Sequence, residues 1–150
     1  MIGNMLKKEN IRIVEQVADW KDAISESLAP LVTGNYVTKD YEENIIKLTM
    51  EYGPYYVLAE NIALIHGRPE MGVLKKQLAV TLLREPVKFS DNGYPVRLLV
   101  ALAATDSESH LQAMKILANI FSNPGAIAQI IKAATVGEVY QCLEQAEEQV

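Results

Sequence analysis

The chain reads as an α/β domain, a single sandwich in which a mixed β-sheet of about five strands carries helices on both faces. Three observations lead there. Strand-like and helix-like segments alternate along the chain. The stretch Val96–Ala104, VRLLVALAA, is nearly continuously apolar, as a central strand covered on both sides must be. Beyond it, three successive helices with their own start signals close the chain.

The elements follow in order. Ile11, Ile13 and Val17 suggest a first strand. Trp20, Ile24, Leu28 and Leu31 recur at helical spacing, and Pro30 leaves the end of that helix open. Thr38 is placed to cap a second helix, whose stripe is Tyr41, Ile45, Leu48 and Tyr52. Gly53-Pro54 stops it. Tyr55–Leu58 and Ile62–Ile65 read as short strands and Leu74–Leu83 as a longer one. A turn spans Phe89–Tyr94, where Asn92-Gly93 favours positive φ. The first closing helix starts near Asp106 or Ser107 and carries Leu111, Met114, Leu117 and Phe121. The next has Asn123 as its cap and Pro124 at its first position, and buries Ile127, Ile130 and Ile131. The last opens on a capping box, Thr135-Val136-Gly137-Glu138, and buries Val139, Leu143 and Ala146.

Composition narrows the function. Apolar residues make up 49% and charged residues 22% of the 150, the balance of a folded globular domain. No apolar run reaches the roughly 20 residues that span a bilayer, so no direct membrane insertion is expected. The start, MIGNMLKKENIR, lacks the apolar core of a signal peptide. With one cysteine, Cys142, no intramolecular disulfide can form, which suits a cytoplasmic protein. The net charge of −5 and the absence of a basic stripe argue against nucleic acid as a partner. Neither HExxH, a G-x-S-x-G elbow nor a phosphate-binding P-loop occurs, so zinc chemistry, serine hydrolysis and nucleotide hydrolysis find no support.

The two histidines stand out by position. His66 comes just past strand Ile62–Ile65; His110 follows strand Val96–Ala104 across the loop Thr105–Ser109. Sites in open α/β sheets collect at the carboxyl ends of strands. If these strands run parallel, both imidazoles reach one edge. His110 also falls in the first turn of a helix, where the dipole favours a bound phosphate and disfavours an imidazolium nearby. A neutral imidazole keeps a lone pair for attack. Gly67 lets backbone approach a ligand, and Arg68 offers a fork to phosphate oxygens. The plain alternative is that His66 and His110 close strands and that Arg68 and Glu70 are solvated loop charges.

The stretch IALIHGRPE resembles the active-site signature of the enzyme IIA domains of the bacterial phosphoenolpyruvate-dependent sugar phosphotransferase system, in its mannitol/fructose (type 2) class, roughly G-I-A-hydrophobic-P-H-[AG]. The longer GPYYVLAENIALIHGRPE is most similar to the ascorbate-type branch, where Arg-Pro follows the histidine. LLVALAATDSESHLQAMKILANIF resembles the second motif, an apolar strand, an Asp-bearing loop, a histidine and a Leu-rich helix. The likeness runs from about Ile11 into the last helix, and residues 1–150 are expected to form one such domain.

This resemblance implies that His66 is the phosphorylated nucleophile and that His110 stabilises the phosphoryl group, with Gly67, Arg68 and Ser109 as phosphate-binding support. It implies phosphoryl transfer from the histidine phosphocarrier protein HPr to a cysteine of a IIB component, which serves a membrane IIC transporter for ascorbate or a related sugar. No cofactor and no metal are implied. A regulatory IIA-like module that senses phosphorylation and binds other proteins is the alternative. The sequence departs from the signature at Ile65 (usually proline), at Asn61 (often glycine) and at Met50, where some members carry an arginine that Arg68 is a candidate to replace.

Overall fold

The computed structural model describes residues 2–148; Met1, Gln149 and Val150, which the expected 1–150 domain includes, lie outside the described residues. Five strands form one mixed sheet: β1 (Leu6–Val14), β2 (Val57–Ala59), β3 (Asn61–Ile65), β4 (Gln77–Lys88) and β5 (Pro95–Ala103). Their spatial order is β1-β4-β5-β3-β2. β1 runs parallel to β4 and β3 parallel to β5; β4 with β5, and β2 with β3, are antiparallel. The mixed sheet expected from sequence is thus present, with β5 in the middle of the order.

Two apolar cores flank the sheet. Alternate residues of β3, β4 and β5 point to opposite faces, as the two-residue period of a strand requires. Leu64, Leu82, Leu98 and Leu102 meet α3 (Ser107–Phe121), α4 (Pro124–Lys132) and α5 (Val136–Glu148). Ala63, Ile65, Leu99 and Ala101 meet α1 (Trp20–Thr33) and α2 (Lys39–Tyr52). Because β5 is covered twice, every residue from Leu98 to Ala103 is buried, which is why it reads as an unbroken apolar run.

Several boundaries differ from the sequence expectation, each for a local reason. β1 begins at Leu6 and ends at Val14, so Val17 lies beyond it; Val17 packs instead against the core under α1. β2 starts at Val57, because Tyr55 and Tyr56 are in a turn closed by the Val57 N–H on the Pro54 carbonyl at 3.2 Å. β4 begins at Gln77 and continues to Lys88. Pro30 lies inside α1, which ends at Thr33 and is capped by Gly34, whose N–H reaches the Pro30 carbonyl at 3.0 Å. Thr38 occupies the cap position of α2, but its hydroxyl makes no capping bond and is buried without a partner. The turn between β4 and β5 needs no positive φ at Asn92 or Gly93: the Gly93 N–H closes it on the Ser90 carbonyl at 3.1 Å.

The cap read at Asn123 forms, Asp106 caps the helix expected to start beside it, and of the capping box read at α5 the Thr135 arm forms while the Glu138 side chain reaches one residue further back. Asp106 takes the Ser109 N–H at 2.7 Å, and Asn123 takes that of Ala126 at 3.1 Å. At α5, Thr135 accepts from the Glu138 N–H at 3.2 Å, while the Glu138 carboxylate accepts from Ala134 at 2.8 Å. Ile131 is half-buried, and Leu111 and Tyr52, read as stripe residues, face outward.

Candidate functional site

The parallel pairing of β3 with β5 carries both chain segments toward the same sheet edge. His66 leaves β3 there. β5 ends at Ala103, and the short loop after it leads into α3 with Asp106 as cap and His110 in the first turn. The two imidazole rings face each other, centroids 5.9 Å apart and planes inclined by 48°. They line an open cleft of about 1040 Å³ whose walls also include Leu48, Tyr52, Tyr55, Arg68 and Leu111.

His66 is held at three points. Its Nδ1 lies 2.7 Å from the Leu64 carbonyl, which can only accept, so Nδ1 carries the proton. The other nitrogen, Nε2, is therefore the one with a free lone pair. The His66 carbonyl accepts from the Tyr55 hydroxyl, and the Tyr55 ring stands edge-on to the imidazole at a centroid distance of 5.6 Å. Immediately after it, the Gly67 N–H donates to the Tyr41 hydroxyl at 2.8 Å. Burial holds the His66 pKa below its ordinary value; the Leu64 carbonyl works against that, and His110 adds to it. The ring is thereby kept neutral and nucleophilic near neutrality.

The loop after His66 rests on α2. Asn44 donates its side-chain amide to the Met71 carbonyl at 2.8 Å, and the Thr38 N–H reaches the Gly72 carbonyl at 2.8 Å. A Cβ at Gly67 would stand 2.8 Å from the Met71 methyl and 3.4 Å from Ile45, so glycine here allows close packing of the loop. Gly72, with φ +137°, leaves no room beside Thr38.

The structure brings His66, Gly67, Arg68 and His110 to the cleft but not Ser109. Ser109 is 6% exposed and spends its groups on the helix cap: its N–H on the Asp106 carboxylate and its hydroxyl on the Asp106 carbonyl at 3.1 Å. A serine at the third helical position carries the same letters whether it caps or binds a ligand. Arg68 is exposed and paired with Glu70 at 3.3 Å, and Met50 points to solvent away from the cleft. Tyr41 and Tyr55, which touch the backbone at His66 and Gly67, are not among the site residues the sequence points to. Tyr41 sits in a helical apolar stripe and gives no signal of its polar role; Tyr55, directly after the Gly53-Pro54 stop, was the more visible of the two. Asn61 has φ +70°, a conformation glycine adopts freely and asparagine tolerates better than other residues. That accounts for an asparagine where the signature often has glycine.

Among the described residues, no group of three or more His, Cys, Asp and Glu side chains could hold a metal ion, and no helix is long and apolar enough to cross a membrane.

Solved structures similar to this fold include IIA components of mannitol phosphotransferase systems. The mannitol-specific cryptic phosphotransferase enzyme IIA CmtB from Escherichia coli superposes with a TM-score of 0.90 at 30% identity, over 96% of this chain and 98% of that one. The enzyme IIA of the mannitol system, solved in complex with phosphorylated enzyme IIB from Escherichia coli, superposes with a TM-score of 0.81 at 27% identity, covering 94% and 99%. The chain belongs to the phosphoenolpyruvate-dependent sugar phosphotransferase system EIIA 2 family, whose model matches residues 4–146. Relatives by sequence include the mannitol-specific cryptic phosphotransferase enzyme IIA component of Escherichia coli (strain K12), 33% identical over 89% of this chain and 91% of its own length. The ascorbate-specific PTS system EIIA component of Shigella boydii serotype 4 (strain Sb227) is 30% identical over 95% and 94%.

Proposed function

We propose that the protein is a phosphocarrier whose His66 accepts a phosphoryl group from phospho-HPr and passes it to a cysteine of a IIB component. The observation that carries this reading is the facing pair of imidazoles, 5.9 Å apart, with the Nδ1 proton of His66 tied to Leu64. The neutral Nε2 lone pair attacks the donor's phosphorus. A new N–P bond forms as the donor's N–P bond breaks, and that electron pair returns to the donor's ring nitrogen. Phosphoryl transfer of this kind passes through a loose, metaphosphate-like state, so the protein's work is positioning and neutralising charge on the three equatorial oxygens. In this reading His110, across the cleft, does so, with Gly67 and Arg68 as supports. Transfer onward to a thiolate reverses the geometry with a new acceptor.

A protein rather than a small molecule as donor and acceptor is supported by the rim. Tyr52 and Leu111 are 71% and 56% exposed on either side of the histidines, apolar surface that a docking partner would cover. The transported sugar is proposed as ascorbate or a relative, on the strength of Gly53-Pro54-Tyr55 and Arg68-Pro69; Tyr55 and Arg68-Pro69 line the cleft.

Incubation with phosphoenolpyruvate, the first enzyme of the system and HPr should place one acid-labile phosphoryl group on the peptide containing His66, read by mass mapping. His66→Ala should take none, and His110→Ala should label more slowly. An unlabelled wild type, or full labelling of His66→Ala, would end this reading.

A further inference from the structure

The last pair in the β3–β5 ladder is Ile65 with Ala101. One step further sets His66 beside Leu102. In the slanted pattern of a parallel ladder, the next rung would join the Gly67 N–H to the Leu102 carbonyl. Instead of that direct bond, the Tyr41 hydroxyl stands between the two. It accepts from the Gly67 N–H at 2.8 Å and donates to the Leu102 carbonyl at 3.0 Å. One rung of the sheet is therefore widened by an oxygen atom from α2, at the point where the chain turns out to present His66. The ring of Tyr41 is fully buried, so the oxygen cannot swing out to solvent.

We infer that Tyr41 is a positioning residue for phosphoryl transfer at His66: its hydroxyl, inserted as a spacer in the β3–β5 ladder, sets the splay between the strand ends that carry His66 and lead to His110. The inference rests on the proposed role of His66. Two consequences distinguish a spacer from mere packing. Without the oxygen, Gly67 and Leu102 either close on each other directly or leave two buried groups unpaired, and in both cases the His66-Gly67 peptide shifts. That peptide is the one whose carbonyl Tyr55 holds, and it follows the residue pair that fixes the Nδ1–H bond to Leu64. The reacting nitrogen should then lose both its place relative to His110 and its single tautomer.

The test is Tyr41→Phe, which removes the oxygen alone. Rapid-quench transfer from labelled phospho-HPr should show the first-order rate reduced about ten- to a hundredfold, the cost typical of misplaced reacting groups, with the half-saturating donor concentration changed less than about twofold. Nitrogen-15 spectra of the imidazoles should show His66 as the Nδ1–H tautomer in the wild type and as a mixture in the variant. Wild-type transfer by the variant overturns the inference. So does a slower rate with an unchanged tautomer, which would mark a purely structural role, or a loss carried by the half-saturating concentration alone. Should the variant not fold, amide exchange in the wild type decides: Gly67 should be protected as well as Ile65, and a freely exchanging Gly67 amide overturns the spacer. A wild type that takes no label from HPr would refute the proposed function, while the exchange and tautomer data would still judge Tyr41.

Discussion

His66 combines a fixed tautomer with a lowered basicity. Burial penalises its cation first, the Leu64 carbonyl opposes this, and the nearby His110 reinforces it, so the folded-state pKa lies below the ordinary 6.5. The sign for stability follows. The unfolded chain binds a proton at this position near pH 6.5 and the folded chain does not until lower pH. The contribution of His66 to stability is therefore complete above about 6.5 and is lost as the pH falls through the folded value. An NMR titration of the His66 ring should give a midpoint under 6.5, and His110→Ala should move that midpoint up. A midpoint at or above 6.5 would show that burial does not favour the neutral ring. Tyr41 belongs to the same group of atoms: burial pushes its hydroxyl pKa up to about 12, so it stays protonated and able to donate to Leu102 at any working pH.

Helix α2 does more than cover a sheet face. From its first two turns it reaches the loop after β3 through Thr38, Tyr41 and Asn44, at Gly72, Gly67 and Met71 respectively. The loop that follows His66 is thus fastened by a helix earlier in the chain, while the opposite wall of the cleft comes from α3, fixed by the Asp106–Ser109 cap. Asn44→Ala removes one of these ties. It should lower stability by about 0.5–1.5 kcal/mol, the usual net value of one hydrogen bond. Amide exchange should speed up selectively across residues 69–73, and urea denaturation supplies the stability figure. Uniform acceleration through β5 as well would show that the loop has no separate anchorage on α2.

The sheet is shared by two cores, and that sharing should make unfolding a single event. Leu98 on β5 faces α3–α5, whereas Trp20, the sole tryptophan and the first residue of α1, packs at the other core. Leu98→Ala should cost about 2–5 kcal/mol, as deletion of a buried leucine side chain does. The urea transition followed by Trp20 fluorescence should shift together with the one followed by far-ultraviolet circular dichroism. If the fluorescence midpoint stayed in place, the two faces would be unfolding independently. The same two-sided burial holds the frame of the site: His66 directly follows β3, and β5, its buried neighbour, leads through a short loop into the first turn of α3, which carries His110.

Much of this was legible in the residue order. Caps at Asp106 and Asn123, the stop at Gly53 and the apolar run of β5 act over a few residues, so they leave a local trace that survives without the fold. The same holds for the two histidines placed just beyond strands, and for the motif around His66. What could not be read was anything depending on which strand lies beside which. The parallel register that sets His66 against His110, the retreat of Ser109 into its cap and the hydroxyl of Tyr41 lodged between Gly67 and Leu102 come from segments 26 to 61 residues apart, or from a choice among partners that only packing makes. Periodicity reports which face of an element is buried; it carries no information on the neighbour that buries it, and the distance between two side chains far apart in sequence is a property of neighbours.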